Sequence, residues 1–258
     1  MNIKCKTLLL AGGFVILAGV GLQGCSATSK SKTDTSKGKA NTPNGKIAES
    51  EKIDTTRSLA PYFVQSTTSK KTPDADGFIQ RWLLLEPINK PIRSNSVFTD
   101  TYIRAAFDTL YFPNQFTVVP KDGEQVKVGA QELTWHALDT KKFDAKLFRF
   151  AYGLRKQTYG VLFWAVTVVN CPQEMKNVRM AVGSNSASMW WLNGKEAVIL
   201  SGDRRMVMDD CVSPRLTLNK GENIIRGAVI NGPGMSDFCV RFLDENGNPI
   251  KDITISNQ

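Results

Sequence analysis

The chain has 258 residues, 41% of them hydrophobic, and carries 33 Lys and Arg against 24 Asp and Glu for a formal net charge of +9. One histidine, His136, and five widely spaced cysteines argue against a zinc site or any other metal site of Cys/His type. A basic balance suits acidic partners, but no Lys/Arg run with interleaved aromatics is evident, so nucleic acid is not expected as a partner.

The chain opens with Lys4 and Lys6, then an apolar run from Leu8 to Leu22, then Gly24 and Cys25. The run is shorter than the ~20 apolar residues a helix needs to span a bilayer. It has the length and flanks of a signal-peptide core. The tetrapeptide Leu22-Gln23-Gly24-Cys25 resembles the lipobox of bacterial lipoproteins. That resemblance implies cleavage after residue 24 and a lipid on Cys25. It also implies a membrane partner through that anchor. Ser26, where an inner-membrane protein of enterobacteria would carry Asp, favours the outer membrane of the cell envelope and leaves the leaflet open.

Residues 26–58, the first part of a linker expected over residues 25–76, are rich in Ser, Thr, Lys, Asn and Gly, and such a stretch buries too little apolar surface to offset its chain entropy. A lipidated flexible tether is expected there, with one apolar patch, Leu59 to Val64, able to dock on the body. The composition changes at Gly77, and residues 77–258 are enough for one core. Phe78–Leu85, Tyr159–Val169, Met180–Val182, Met189–Leu192, Ala197–Leu200, Arg215–Leu218, Ile224–Ile230 and Phe238–Leu243 read as strands. A single short helix is predicted, capped by Thr99 or Asp100, with Ile103, Ala106, Phe107 and Leu110 on one face and Pro113 ending it. Many short strands separated by turn residues predict a mainly β protein, a β-sandwich. Asn193-Gly194 between apolar runs predicts a type I′ hairpin, and turns are expected at Leu218–Asn223 and Asp244–Pro249.

Several stretches share a pattern: Arg81-Trp82-Leu83-Leu84-Leu85-x-Pro87, Val182-Gly183-Ser184-Asn185, Trp191-Leu192-Asn193-Gly194-Lys195, Leu218-x-Lys220-Gly221-x-Asn223 and Phe238-x-Val240-Arg241-Phe242-x-Asp244-x-x-Gly247-x-Pro249. Together they resemble the galactose-binding-like jelly rolls attached to bacterial carbohydrate-active enzymes, including proteins labelled acetylxylan esterases. The resemblance implies a jelly-roll sandwich over about residues 77–253 and a polysaccharide partner. The acidic pair that the family often places after Gly183-Ser184 is replaced by Asn185-Ser186.

No catalytic signature accompanies it. His136 is the one imidazole base available, and Gly183-Ser184-Asn185-Ser186-Ala187 lacks the glycines of a nucleophile elbow. Asp209 and Asp210 are adjacent and would point to opposite faces of an extended strand. No phosphate-binding or dinucleotide motif is present, and no cofactor is expected. Sugars call for an aromatic ring with fixed donors and acceptors. The candidates for such contacts are Trp190 and Trp191, together with Asp203, Arg204 and Arg205 in a loop. A non-catalytic carbohydrate-binding lipoprotein is the first expectation. A carbohydrate esterase and a structural or protein-binding envelope component are the alternatives.

Overall fold

A computed structural model describes residues 56–257. The signal segment, the lipobox and Cys25 lie outside the described residues, as does the tether up to residue 55. In chain order the body contains β1 (Phe63–Gln65), β2 (Arg81–Leu85), β3 (Ile88–Asn89), α1 (Asp100–Asp108), β4 (Gln125–Val128), β5 (Gln131–Thr140) and α2 (Leu147–Gly153). It continues through β6 (Val161–Cys171), β7 (Met175–Ser184), β8 (Ala187–Leu192), β9 (Lys195–Leu200), β10 (Cys211–Val212), β11 (Leu216–Leu218), β12 (Gly221–Asn231), β13 (Phe238–Leu243) and β14 (Thr254–Ser256).

These strands make a β-sandwich of two antiparallel sheets. The larger has ten strands and runs β1-β5-β2-β6-β12-β8-β9, with β3 and β14 on β6 and β4 on β5. The smaller has four, with β7 between β13 on one side and β10 and β11 on the other. Residues 78–85 serve both sheets. Phe78 bridges Arg241 of β13, and the chain then crosses to pair Arg81–Leu85 with β5. Such corners let one strand turn between sheets.

The apolar sequence of β6 has a specific cause. Both faces of the large sheet are buried. Val161, Phe163, Ala165 and Val169 face the small sheet with Trp82, Trp190, Val182 and Phe238. Leu162, Trp164 and Val166 face a second core with Ile103, Phe107, Phe112 and Trp135. The alternation of period two therefore delivers apolar residues to both sides, and the strand reads as a continuous hydrophobic run.

At Gly227 of β12 a Cβ atom would stand 2.2 Å from Cζ3 of Trp190 on the paired strand. The indole lies where only hydrogen fits. Gly227→Ala is expected to destabilise the body by about 1–3 kcal/mol, as overpacking does. The denaturant midpoint measures it, and an unchanged midpoint would show that the ring moves aside freely.

Turn chemistry follows the sequence closely. Asn193 and Gly194 take φ of 50° and 78°, the left-handed pair of a type I′ hairpin between β8 and β9. The fully buried Asn223 organises the β11–β12 turn, its Oδ1 accepting from the Asn219 amide at 2.8 Å and its Nδ2 donating to the Asn219 carbonyl at 2.8 Å. Asp244 Oδ1 accepts from the amides of Asn246 and Asn248. Those bonds, the Asn248 amide first, hold its carboxyl below the usual range.

Three expectations need correction. The helix α1 is capped by Thr99, whose side chain accepts from the Tyr102 amide at 3.2 Å, and buries Ile103, Ala106 and Phe107. It stops at Asp108, so Leu110 is 67% exposed instead of sharing the buried face. The buried Gln115, two residues beyond Pro113, closes the helix end: its Nε2 donates to the carbonyls of Phe107 and Thr109. Second, the sandwich has another helix, α2, whose N-cap residue Lys146 makes no side-chain capping bond. It lacks the start signal that marked α1. Third, the folded body does not begin at Gly77. Phe63 is buried, β1 pairs with β5, and Lys71 bridges Ile255. Arg81 holds this leading segment. It is 2% exposed, forks onto Asp139 at 2.8 and 3.0 Å, and donates to the carbonyl of Ser69. The polar composition of residues 66–76 conceals these long-range bonds.

Candidate functional site

The two tryptophans proposed as sugar platforms are core residues. Neighbours on a strand point to opposite faces. On β8 that sends Trp190 into the core between the sheets and Trp191 into the core beneath α1. Trp190 is fully buried and packs on Trp82 and Phe238, with centroids 5.9 and 4.8 Å away. Trp191 is 7% exposed and stacks on Trp164 at 5.6 Å. Neither presents a ring face at the surface.

The charged candidates lie in the β9–β10 loop, at one end of the sandwich. Asn95, from a 3₁₀ turn at Asn95–Val97, donates through Nδ2 to Asp203 Oδ1 and to the Pro233 carbonyl, each at 2.9 Å. The Gly202 amide donates to the Phe98 carbonyl at 2.7 Å. Three loops are thereby tied together, including the glycine-rich segment Asn231–Met235. Arg204 is turned inward, donating to the Ser201 carbonyl at 2.9 Å and paired with Asp210. Asp209 pairs instead with Arg241, at 2.9 Å from Nε. The adjacent acids therefore serve different arginines. Asp203 and Arg205 stay exposed beside the apolar Val97, Val207, Met208 and Met235, each at least 40% exposed. The result is a rigid surface of mixed polarity with an outward carboxylate and guanidinium.

A cleft of about 590 Å3 opens on the flank of β4 and β5. Phe112, Val118 and Trp135 contribute apolar lining, and Asn114, Glu124, Gln125 and Lys127 contribute amide and charged groups. This size and mixture fall within the range of small-ligand sites. Arg226 fixes one wall. Its buried guanidinium donates to the Val118 carbonyl at 2.7 Å, and burial pulls its pKa down. Gln125 and Lys127 sit on a four-residue strand whose short apolar content concealed it in the sequence.

His136 stands on β5 with its Nε2 3.5 Å from Glu86 Oε1 and its ring edge-on to Phe150. Glu86 also receives Lys156 at 2.9 Å. Among the described residues the Nε2 atom has no hydrogen-bond partner, hydroxyl or otherwise. Ser184, the serine of the Gly-Ser-Asn motif, is fully buried and donates to the carbonyls of Ser186 and Asp237. Its role is to shape the β7–β8 turn. Asn185 Oδ1 receives the Asp237 amide at 2.6 Å in the same turn.

A buried charge cluster joins α2 to β13. Lys146 lies 2.6 Å from Asp144 and 3.1 Å from Asp237. Burial pushes the Asp237 carboxyl up to about 6 despite Lys146. Burial alone would lower the Lys146 pKa, but the charges of Asp237 and Asp144 prevail and raise it. Cys171 and Cys239 are buried free thiols, pushed by burial up to about 11 and about 12, and so are poor nucleophiles at neutral pH. Among the described residues no group of three or more His, Cys, Asp or Glu is arranged to hold a metal ion, and no helix is long and apolar enough to cross a membrane.

Contrary to the expectation that no basic run interleaves with aromatics, one such stretch exists. Lys141 to Lys156 does interleave basic residues with aromatics: Phe143, Phe148, Phe150 and Tyr152 alternate with Lys142, Lys146, Arg149 and Arg155. Phe148 and Tyr152 stack within α2, and Phe148 also meets Tyr159 at 5.6 Å.

No protein-family model matches the chain. No curated protein matches it in sequence. Among solved structures, it is similar to a PA14 sugar-binding domain from an RTX adhesin, with a TM-score of 0.40 and 8% identity over 69% of this chain and 99% of that one. It is similar to the PA14 domain of the MpAFP antifreeze protein, with a TM-score of 0.38 and 10% identity over 75% and 96%. It is also similar to part of a β-glucosidase from Kluyveromyces marxianus in complex with glucose, with a TM-score of 0.32 and 16% identity over 51% of this chain and 16% of that one.

Proposed function

We propose that this chain is an envelope-anchored lipoprotein whose β-sandwich, of the galactose-binding-like jelly-roll kind, binds carbohydrate without transforming it. The supporting observation is the cleft at β4 and β5. Phe112 and Trp135 give it apolar lining, while Gln125, Lys127, Asn114 and Glu124 bring hydrogen-bonding groups to the same cavity. A sugar ring has apolar faces edged by hydroxyls, and this combination suits it. The loop surface at Asp203 and Arg205 is a second, flatter contact for a longer chain. A carboxylate and a guanidinium there suit hydroxyls and acidic groups respectively. The lipid on Cys25 rests on the lipobox resemblance, and the outer-membrane location on Ser26 after it.

Gln125 and Lys127 are the residues to change, because neither is buried. The variant Gln125→Ala/Lys127→Ala should lose at least about tenfold in affinity for a retained polysaccharide, the loss expected when about two hydrogen bonds go. Affinity electrophoresis reads it, and the melting temperature should stay put. Unchanged retention in a folded variant would remove the cleft from the proposal. Acetyl release from an acetylated polysaccharide, abolished by His136→Ala, would establish the esterase alternative instead.

A further inference from the structure

We propose that the α2 face is a membrane-docking surface for the anionic headgroups of a phospholipid bilayer. Charge is the first ground. Residues 141–160 contain Lys141, Lys142, Lys146, Arg149, Arg155 and Lys156 against one acid, Asp144. Asp144 is 2% exposed and paired with Lys146. Two described carboxylates from other parts of the chain pair with its lysines: Asp237 with Lys146, and Glu86, 7% exposed, with Lys156. Among the described residues, this stretch therefore shows solvent more basic than acidic groups, its one acid being buried.

Aromatic placement is the second ground. Tyr159 is 49% exposed, and Phe148 and Tyr152 are half-buried beside it. The guanidinium of Arg57 lies 5.3 Å above the Tyr152 ring, and that of Arg149 lies 5.2 Å above Tyr62 and 5.8 Å above Phe148. Rings with an apolar body and a polar tip, flanked by cations, suit the headgroup layer of a bilayer.

Position is the third ground. The described body begins on this face. Arg57 lies on Tyr152, and Leu59 packs so tightly on Gly153 of α2 that a Cβ there would meet its side chain at 2.7 Å. Residues 25–55 would span about 100 Å if fully extended. A lipid on Cys25 would thus pull on the protein from the side that carries the basic and aromatic residues. A lipid anchor and a basic patch reinforce one another as paired membrane signals. The orientation rests on the anchor proposed above; headgroup binding does not.

The test uses the mature chain, residues 25–258, as Cys25→Ser, so that no acyl chain contributes. It is sedimented with phosphatidylcholine vesicles with and without phosphatidylglycerol. Binding should require phosphatidylglycerol and fall as salt rises. Arg57 and Arg155 are both exposed. Each basic residue near an anionic surface changes partitioning by about fivefold, so Arg57→Gln/Arg155→Gln should lose about 25-fold, and Arg57→Glu/Arg155→Glu more. The control Lys195→Glu/Lys220→Glu alters exposed lysines at the start of β9 and in the β11–β12 turn, and should stay within about twofold of the parent. Equal binding to both vesicle types would overturn the proposal. So would an equal loss in the control, or salt-sensitive retention on an acidic polysaccharide without vesicle binding. Gln125→Ala/Lys127→Ala should bind vesicles like the parent, which separates this surface from the carbohydrate cleft. An unacylated Cys25 in cells would remove the anchor while leaving vesicle binding intact.

Discussion

Trp191→Ala should cost the folded body about 3–5 kcal/mol, the usual range for deleting a buried large aromatic. Trp191 is the hub of the second core. It stacks on Trp164 at 5.6 Å and meets Phe116 at 5.8 Å and Phe107 at 6.5 Å, all near edge-on except the Trp164 stack. Phe107 belongs to α1 and Phe116 to the segment that follows it, so the indole joins the helix layer to the sheet. Its loss leaves a cavity between β6, α1 and the segment that follows α1. The expected result is a large fall in the urea midpoint, with near-ultraviolet dichroism weakened first. Trp191→Phe should retain most of the packing and lose less. A Trp191→Ala midpoint within about 1 kcal/mol of the parent would show that the second core is loosely packed. Any loss of polysaccharide retention in this variant must be read against that unfolding.

The second large effect falls on Asp139. Asp139→Ala should destabilise by about 3–5 kcal/mol, because it leaves the buried Arg81 guanidinium uncompensated. Arg81 Nε and Nη2 reach the two carboxylate oxygens at 2.8 and 3.0 Å, Ser66 Oγ donates at 2.8 Å, and Lys71 stands at 3.5 Å. Burial would raise the Asp139 pKa, but the hydrogen bonds from Arg81 and Ser66 and the charge of Lys71 outweigh it and hold the carboxyl below its ordinary value. The folded carboxyl is the stronger acid. Its contribution is therefore complete above the unfolded carboxylate value of about 4 and is lost as pH falls through the lower, folded value. Stability of the parent should drop below about pH 4, and the Asp139→Ala variant should show less of that slope. Removing both partners, as Arg81→Met/Asp139→Leu, should cost less than removing one. Limited proteolysis should cut the Asp139→Ala variant between Ser66 and Lys71, the segment this pair restrains. A protease-resistant segment would mean that β1 and the Lys71 bridge hold it alone.

Much of the architecture was legible from residue pattern. The strands from Tyr159 to Leu243, the Asn193-Gly194 hairpin and the Thr99 cap all rest on local chemistry, and each is present. What escaped depends on distant contacts. Gln115 ends α1 through bonds across six to eight residues, and β1 exists because β5 offers it an edge. The fate of Trp190 and Trp191 was half legible: strand period separated their faces, but only the presence of α1 and its following loop decided that the outer face is covered. Resemblance motifs such as Leu218-x-Lys220-Gly221-x-Asn223 prove to be turn scaffolding around Asn223. They could indicate a fold without indicating a ligand. The cleft was illegible for a related reason. Its polar lining comes from exposed positions of one short strand and two loops, and no spacing rule joins Asn114 to Lys127.

Carbohydrate recognition is tested most directly by a glycan array probed with the mature chain, residues 25–258 as Cys25→Ser. Selective retention on a subset of glycans, abolished in Gln125→Ala/Lys127→Ala at unchanged melting temperature, is the expected result. A folded protein that retains no glycan, or retains the same ones with the cleft residues removed, would contradict it.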